Sequence, residues 1–242
     1  MIILIDLIVN ADDFGLSRGV NHGIVDAHKY GIVTSTTMLV NMPGASHAVE
    51  LAKATPSLGV GIHLTLTCGR PILHVPSLMN EDGFFRLSSR DQDDKQIDLD
   101  EVEREWVAQI EKFASFGLEP THMDSHHHVH GWEILQPIVA RVSQKYQLPV
   151  RNLFEHSIAG MIPLTDWITC DFYGDHIDHQ FFDRLIDHVE NDSSVEVMTH
   201  PAYMDAYLQA NSSYCEPRVK ELEILTQVEL NHVFTLVQMG RL

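Results

Sequence analysis

Ten residues, Thr121 to His130 (T-H-M-D-S-H-H-H-V-H), hold five imidazoles and one carboxylate: His122, Asp124, His126, His127, His128 and His130. Imidazole with carboxylate on one rigid edge is a ligand set for a divalent ion such as zinc, manganese or iron, or for magnesium where oxygen dominates. The stretch follows Gly117 and Pro120 and precedes an amphipathic pattern from about Trp132, so it reads as a strand whose C-terminal end breaks into a loop. Side chains alternate along a strand, which predicts His122, Asp124, His126 and His128 on one face. A histidine tract alone can equally be a solvated loop that binds metal incidentally. Other parts of the chain must therefore supply complementary groups.

The elements around the stretch place such groups. Met1 to Val9 is apolar throughout, as suits a central parallel strand, and it ends in Asn10-Ala11-Asp12-Asp13-Phe14-Gly15. Ser17 reads as the N-cap of a helix with Val20, Ile24 and Ala27 inward and Gly31 as its stop. Ile32 to Val40 is a second strand, Ala45 to Ala54 a helix, and Leu58 to Thr67 a third strand carrying His63. Asp98 or Asp100 caps a helix with Val102, Trp106, Ile110 and Phe113 on one face, closed by Gly117. After the histidine stretch comes a helix with Leu135, Ile138, Val139 and Val142 inward, then strands at Leu148 to Leu153 and Trp167 to Phe172. Phe181 to Val189 reads as helix, and Val195 to Thr199 as a strand leading into His200-Pro201-Ala202-Tyr203. Pro217 to Thr226 and Val228 to Met239 both read as helical, which leaves open whether a last strand closes the sheet.

Strand and helix alternate throughout, which predicts an α/β fold with a mostly parallel sheet covered by helices. About seven such units in 242 residues fit one irregular, TIM-barrel-like β/α barrel over residues 1–242. Cys68 to Asp98 breaks the pattern and reads as a long insertion, residues 68–98, of the kind that forms a lid. No G-x-G-x-x-G follows the first strand, which disfavours a dinucleotide site. Asp12-Asp13, His63, Asp124 to His128 and His200 all fall at C-terminal strand ends, the barrel face where active sites are built. Each has a plainer reading. The aspartates could complement a helix dipole, His63 could be a satisfied core histidine, and His200-Pro201 an ordinary turn. Their joint placement favours an active site.

Composition narrows the partners. The formal net charge of −18 argues against nucleic acid and disfavours anionic membranes. No apolar run approaches the roughly 18 residues of a membrane span. The apolar start contains Asp6 and lacks a basic lead and a small-residue cleavage site, so it reads as strand and not signal peptide. Cys68, Cys170 and Cys215 are three widely spaced thiols without a C-x-x-C, which suits a reducing, cytoplasmic location.

Asn10 to Gly15 (N-A-D-D-F-G), Gly61 to Thr67 (G-I-H-L-T-L-T), Thr121 to His130 and Met198 to Tyr203 (M-T-H-P-A-Y) together resemble the YdjC-like carbohydrate deacetylases. Thr34 to Thr37 and the P-R-x-x-E-L at Pro217 to Leu222 extend the resemblance over nearly the whole chain. It implies an irregular β/α barrel and one divalent metal, Mg2+ or Zn2+, held by Asp13, His63 and His126. It also implies Asp12 as general base and His200 as the group that protonates the leaving amine. Spacing leaves open which adjacent aspartate is base and which is ligand; the resemblance alone orders them. Asp124 and His128 are then candidates to orient the ligand imidazoles. Phe14, Trp132 and Tyr203 flank the site as candidate sugar-stacking aromatics, with Arg218 as a further binding candidate.

The implied substrate is a small, chitobiose-like N-acetylglucosamine oligosaccharide, free or phosphorylated, handled by a cytoplasmic enzyme with a homodimer as the default assembly. The alternative is a glycosidase or other hydrolase acting on a disaccharide or its phosphate. Such chemistry needs two carboxylates about 5 to 10 Å apart and leaves the histidines idle. A non-catalytic metal-binding or sugar-sensing protein is a third reading, and it would tolerate Asp12→Asn without loss of function.

Overall fold

In a computed structural model the described residues are 4–240, so Met1 to Ile3 of the predicted first strand and the last two residues lie outside them. β1 (Ile5–Phe14) is the axis of the sheet, and nearly all of its residues are buried. A strand with both faces buried must be apolar on both faces, as I-D-L-I-V-N-A is apart from Asp6 and Asn10. The other strands are β2 (Ser35–Met38), β3 (Gly59–Leu64), β4 (Met123–Ser125), β5 (Trp167–Thr169), β6 (Ser194–Thr199) and β7 (Phe234–Leu236). Every strand pairing is parallel, in the order β4-β3-β2-β1-β6-β5 with β7 also on β1. The helices are α1 (Arg18–Lys29), α2 (Ala45–Ala54), α3 (Leu99–Ser115), α4 (Gln136–Tyr146), α5 (Phe181–Leu185), α6 (Ala206–Asn211) and α7 (Glu216–Gln227). The expected α/β class and curled, barrel-like parallel sheet are therefore present.

The capping signals act as read. Ser17 accepts from the Val20 N–H to open α1, Asp98 accepts from Asp100 and Glu101 N–H to open α3, and Gly117 follows α3 with a φ of 74°. Val20, Ile24 and Ala27 are fully buried, as are Val102, Trp106 and Phe113.

The second half departs from expectation. Val228 to Met239 is not helical: it contains β7, whose register pairs Ile5 with Phe234 and Leu7 with Leu236. The cause lies in β1. Its upper half pairs with β2 from Asn10 on, so the lower half has one free edge whose backbone groups need partners. Leu148 to Leu153 forms no full strand; Val150 makes single bridges to Met123 and Pro163. Pro149 and Pro163 have no N–H to extend a ladder. Short pieces thus span the sheet between β4 and β5.

Residues 68–98 pack as a lobe against α3. The buried Glu105 carboxylate accepts the Ile72 and Leu73 N–H groups at 2.8 and 2.9 Å, and Glu101 accepts Ser77 N–H at 2.8 Å. Val75, Leu78, Phe85 and Leu87 join the main core. Among the described residues no helix is long and apolar enough to cross a membrane.

Candidate active site

β1 brings both aspartates to one cavity by breaking its own alternation. Its register against β2 shifts between Ala11 and Phe14, and Asp13 takes a φ of 72°, unusual for a residue with a side chain. Neighbours on a regular strand point to opposite faces; this irregularity turns both Asp12 and Asp13 into a cavity of about 560 Å³. Gly15 makes the next turn possible, since its φ is 96° and a Cβ there would sit 2.6 Å from the Leu39 carbonyl oxygen. Left-handed backbone at a non-glycine residue costs of order 1–3 kcal/mol and collects at functional sites.

The ligand candidates meet around one oxygen. Asp13 Oδ1 lies 3.0 Å from His126 Nδ1 and 3.5 Å from His63 Nε2. It is buried and has no hydrogen-bond partner of acceptable geometry. The remaining atoms of the set are tied down. Asp13 Oδ2 accepts from Arg218 Nη2 at 2.6 Å, and His63 Nδ1 donates to Asp124 Oδ1 at 2.6 Å. The β3–β4 register sets His63 directly beside Asp124, and Thr37 on β2 donates to Asp124 Oδ2 at 2.9 Å. His63 is thereby fixed with Nε2 free toward Asp13, the arrangement that orients a metal-ligating imidazole. Burial opposes charge on His126, yet the adjacent Asp13 overrides it and lifts the pKa to about 10. A proton on that ring stands where a cation's charge would be balanced. These residues fit a divalent ion: one carboxylate and two imidazoles, nearly dehydrated, with an orphaned oxygen at the centre.

Asp12 belongs to a second buried cluster. Arg151 grips its carboxylate with Nη1 and Nη2 at 2.7 and 2.6 Å, reaches Asp124 Oδ2 at 2.9 Å, and donates through Nε to Glu196 Oε1 at 2.8 Å. Burial raises the proton affinity of Asp12 and Asp124, but Arg151 outweighs it and holds both below the usual carboxylate range. Glu196, with one oxygen unpartnered, is pushed up to about 7 by burial.

The far wall comes from β6 and the segments after it. His200 follows β6 and lines the cavity; burial, with Arg218 adding, pushes its pKa down to about 3. Tyr173 and Tyr214 stack with ring centroids 4.0 Å apart, and each meets the His200 ring edge-on.

The histidine stretch does not stay on one face. β4 ends at Ser125, and His127 and His128 both turn left-handed with φ of 56°. His126 alone reaches Asp13. His122 points into the barrel interior and bonds Asn10 at 3.1 Å, a position open because a Cβ on Gly61 would be only 2.7 Å from its ring. His128 lines the cavity but turns toward Cys170 Sγ, 3.7 Å away, and not onto a ligand imidazole. Asp124 does hold His63.

The expected stacking aromatics are elsewhere. Phe14 is fully buried in the core because the bulge that turns the aspartates outward sends it inward. Trp132 is also buried in the core, and Tyr203 lies outside the cavity with its hydroxyl on Asp26 at 2.8 Å. Arg218 does line the cavity, bound to Asp13. Sequence reasoning missed Arg151, Glu196, Glu221, Tyr173 and Tyr214. A faint signal existed for Glu196 and Arg151, which are charges inside the apolar runs V-E-V-M and P-V-R-N-L.

A parallel β/α half-barrel with an Asp-His-His cluster at the C-terminal strand ends is an arrangement that could hold a divalent ion where barrel enzymes build their active sites. The YdjC-like protein family matches residues 6–235, and the chain belongs to that family. It is 50% identical over 235 residues to the carbohydrate deacetylase of Halalkalibacterium halodurans, covering 96% of this chain and 99% of that one. It is 45% identical over 236 residues to the chitooligosaccharide deacetylase of Proteus mirabilis, covering 93% and 91%. A crystal structure of an Enterococcus faecalis protein provisionally named for cellobiose-phosphate cleavage superposes with a TM-score of 0.89 at 38% identity, covering 98% of each chain.

Proposed function

We propose that this protein is a cation-dependent carbohydrate deacetylase that hydrolyses N-acetyl groups of small, chitobiose-like N-acetylglucosamine oligosaccharides. One observation carries the reading: the buried, unpartnered Asp13 Oδ1 faces His63 and His126, whose set fits a divalent ion. The names and near-full coverage of the relatives supply the chemical class. A cavity of about 560 Å³ suits a small oligosaccharide. The three free thiols accord with a cytoplasmic setting.

A divalent cation, Mg2+ or Zn2+, held by Asp13, His63 and His126 would polarise the acetyl carbonyl and lower the pKa of water beside it. Arg151 keeps Asp12 ionised and so holds it ready to accept a proton from water. It takes that proton as the water oxygen adds to the carbonyl carbon. His200 serves the leaving nitrogen. Burial keeps it neutral at rest. Negative charge developing on the substrate beside it raises its proton affinity, so it takes a proton from solvent as the adduct forms. It passes that proton to the amine as the C–N bond breaks, while Asp12 returns the water's proton to solvent. Asp124 and Thr37 hold the His63 tautomer throughout.

The test is acetate release from N,N′-diacetylchitobiose, with EDTA and with metal restored. Acetate that disappears with EDTA and returns with Mg2+ or Zn2+, without monosaccharide, is the expected outcome. Splitting of the disaccharide or its phosphate without a cation would replace the reading with glycosidase chemistry. That reading is suggested by the name of the Enterococcus relative. The geometry weighs against it, because Asp12 and Asp124 share one Arg151 and do not face each other across open space.

A further inference from the structure

α7 presents two ionisable side chains three residues apart on one face, Arg218 and Glu221, both buried. Arg218 reaches forward to Asp13. Glu221 is fully buried and uses both of its oxygens: Oε2 accepts the backbone N–H of His200, and Oε1 accepts the Tyr214 hydroxyl at 2.5 Å. That hydroxyl in turn accepts the Gly174 N–H at 3.0 Å. Tyr214 lies flat on Tyr173, at an interplanar angle of 6°, and both rings line the cavity. A buried carboxylate is costly unless its oxygens are bonded, and here both donors come from groups that shape the cavity. The His200 segment is also tied to α7 by the Ala202 N–H on the Arg218 carbonyl at 3.2 Å, but only Glu221 bonds His200 and the Tyr214 hydroxyl together; the rings otherwise meet edge-on.

We infer that Glu221 is a positioning residue that locks the His200 backbone to the Tyr173–Tyr214 wall, so that a pyranose ring resting on the wall and the proton donor keep one fixed spacing. The inference rests on the deacetylase reading and assigns the sugar-docking surface to the stacked tyrosines. Stacked aromatics offer a flat apolar face with polar hydroxyl ends, which suits the C–H face of a sugar. A displacement near 1 Å at such a site can cost roughly 100-fold in rate. Arg218 keeps its own bonds to Asp13 and to the Tyr214 carbonyl when Glu221→Gln removes only the charge, so the ligand cluster is expected to survive it.

The experiment is a double-substitution cycle on acetate release from N,N′-diacetylchitobiose with Tyr214→Phe, Glu221→Gln and both together. Each single change is expected to lower kcat about tenfold, and the double change to be no worse than the more damaging single one, because both break the same link. Metal affinity should stay at the unsubstituted value. Additive losses, or full kcat in either single variant, would overturn the inference. A merely structural role would lower the melting temperature while kcat per folded molecule stayed constant. If Glu221→Gln fails to fold, Tyr214→Phe decides, since it keeps the ring and removes only the hydroxyl. If the unsubstituted protein releases no acetate, the deacetylase reading falls separately. The link is then judged by the His200 imidazole NMR signals in Tyr214→Phe, which must move; unchanged signals would sink it.

Discussion

The two sides of the cavity are built differently. On one side, β1 to β4 deliver Asp12, Asp13, His63, Asp124 and His126 from the ends of hydrogen-bonded parallel strands. On the other, His200 follows β6, while Arg151, Tyr173, Tyr214 and Arg218 come from short bridges, loops and the first turn of α7. The first side supplies most of the negative charge and the ligand atoms. The second supplies both guanidiniums that neutralise it, Arg151 on Asp12 and Arg218 on Asp13. Ligand geometry demands rigid, registered backbone, whereas a long arginine side chain can reach its carboxylate from an irregular segment.

The largest test of this division is Arg151→Met. It leaves Asp12, Asp124 and Glu196 buried together without their cation, and removing one partner of such a cluster costs about 3–5 kcal/mol. The urea midpoint of the variant should fall accordingly, and adding Glu196→Gln should restore part of the loss. A variant as stable as the parent would mean that the second side does not neutralise the first.

Asp124→Asn should spare the fold and damage the chemistry. It weakens the hold on His63 Nδ1, and loss of such a partner typically costs 10–100-fold in metal affinity or activity. Calorimetric metal titration alongside acetate release would check it. An unchanged metal affinity would show that strand register alone orients His63.

The smallest expected effect is a pH dependence shared by both sides. Burial holds His122 and His130 on the first side at about 4 and 3, and His200 on the second at about 3. The unfolded chain binds protons at these rings below about 6.5, and the native state does not. These rings therefore contribute stability that is present above that pH and declines as pH falls from about 6.5 toward 4, read from urea midpoints of EDTA-treated protein. The decline is partly offset by Glu196 and Glu221, which burial raises to about 7 and 8. His122→Asn should flatten the slope; an identical slope would remove that ring from the account.

Much of the architecture was legible because local physics dictated it. Continuous apolar runs marked β1 and β3, Ser17 and Asp98 marked helix starts, and α2 has the predicted bounds because nothing tertiary competes with them. The second half was read less well. The residues of β7 have no strong period of their own, and the open lower edge of β1 decides their conformation.

The same division applies to the cavity. Residue type and position at strand ends were enough to nominate Asp12, Asp13, His63, His126 and His200. They could not say which way neighbours point, because that depends on the bulge at Asp13 and the left-handed turn at His127 and His128. Phe14, Trp132 and Tyr203 were close in sequence and turned away in space, while Tyr173 and Tyr214 were distant in sequence and line the same cavity as Asp13, His63 and His126. By itself the sequence determined the parallel α/β layout and the chemical inventory at one rim, since periodicity and residue type are local properties. Only the tertiary structure decided which charges neutralise which, because Arg151 lies 139 residues from Asp12 and Arg218 lies 205 from Asp13, and packing alone brings them together.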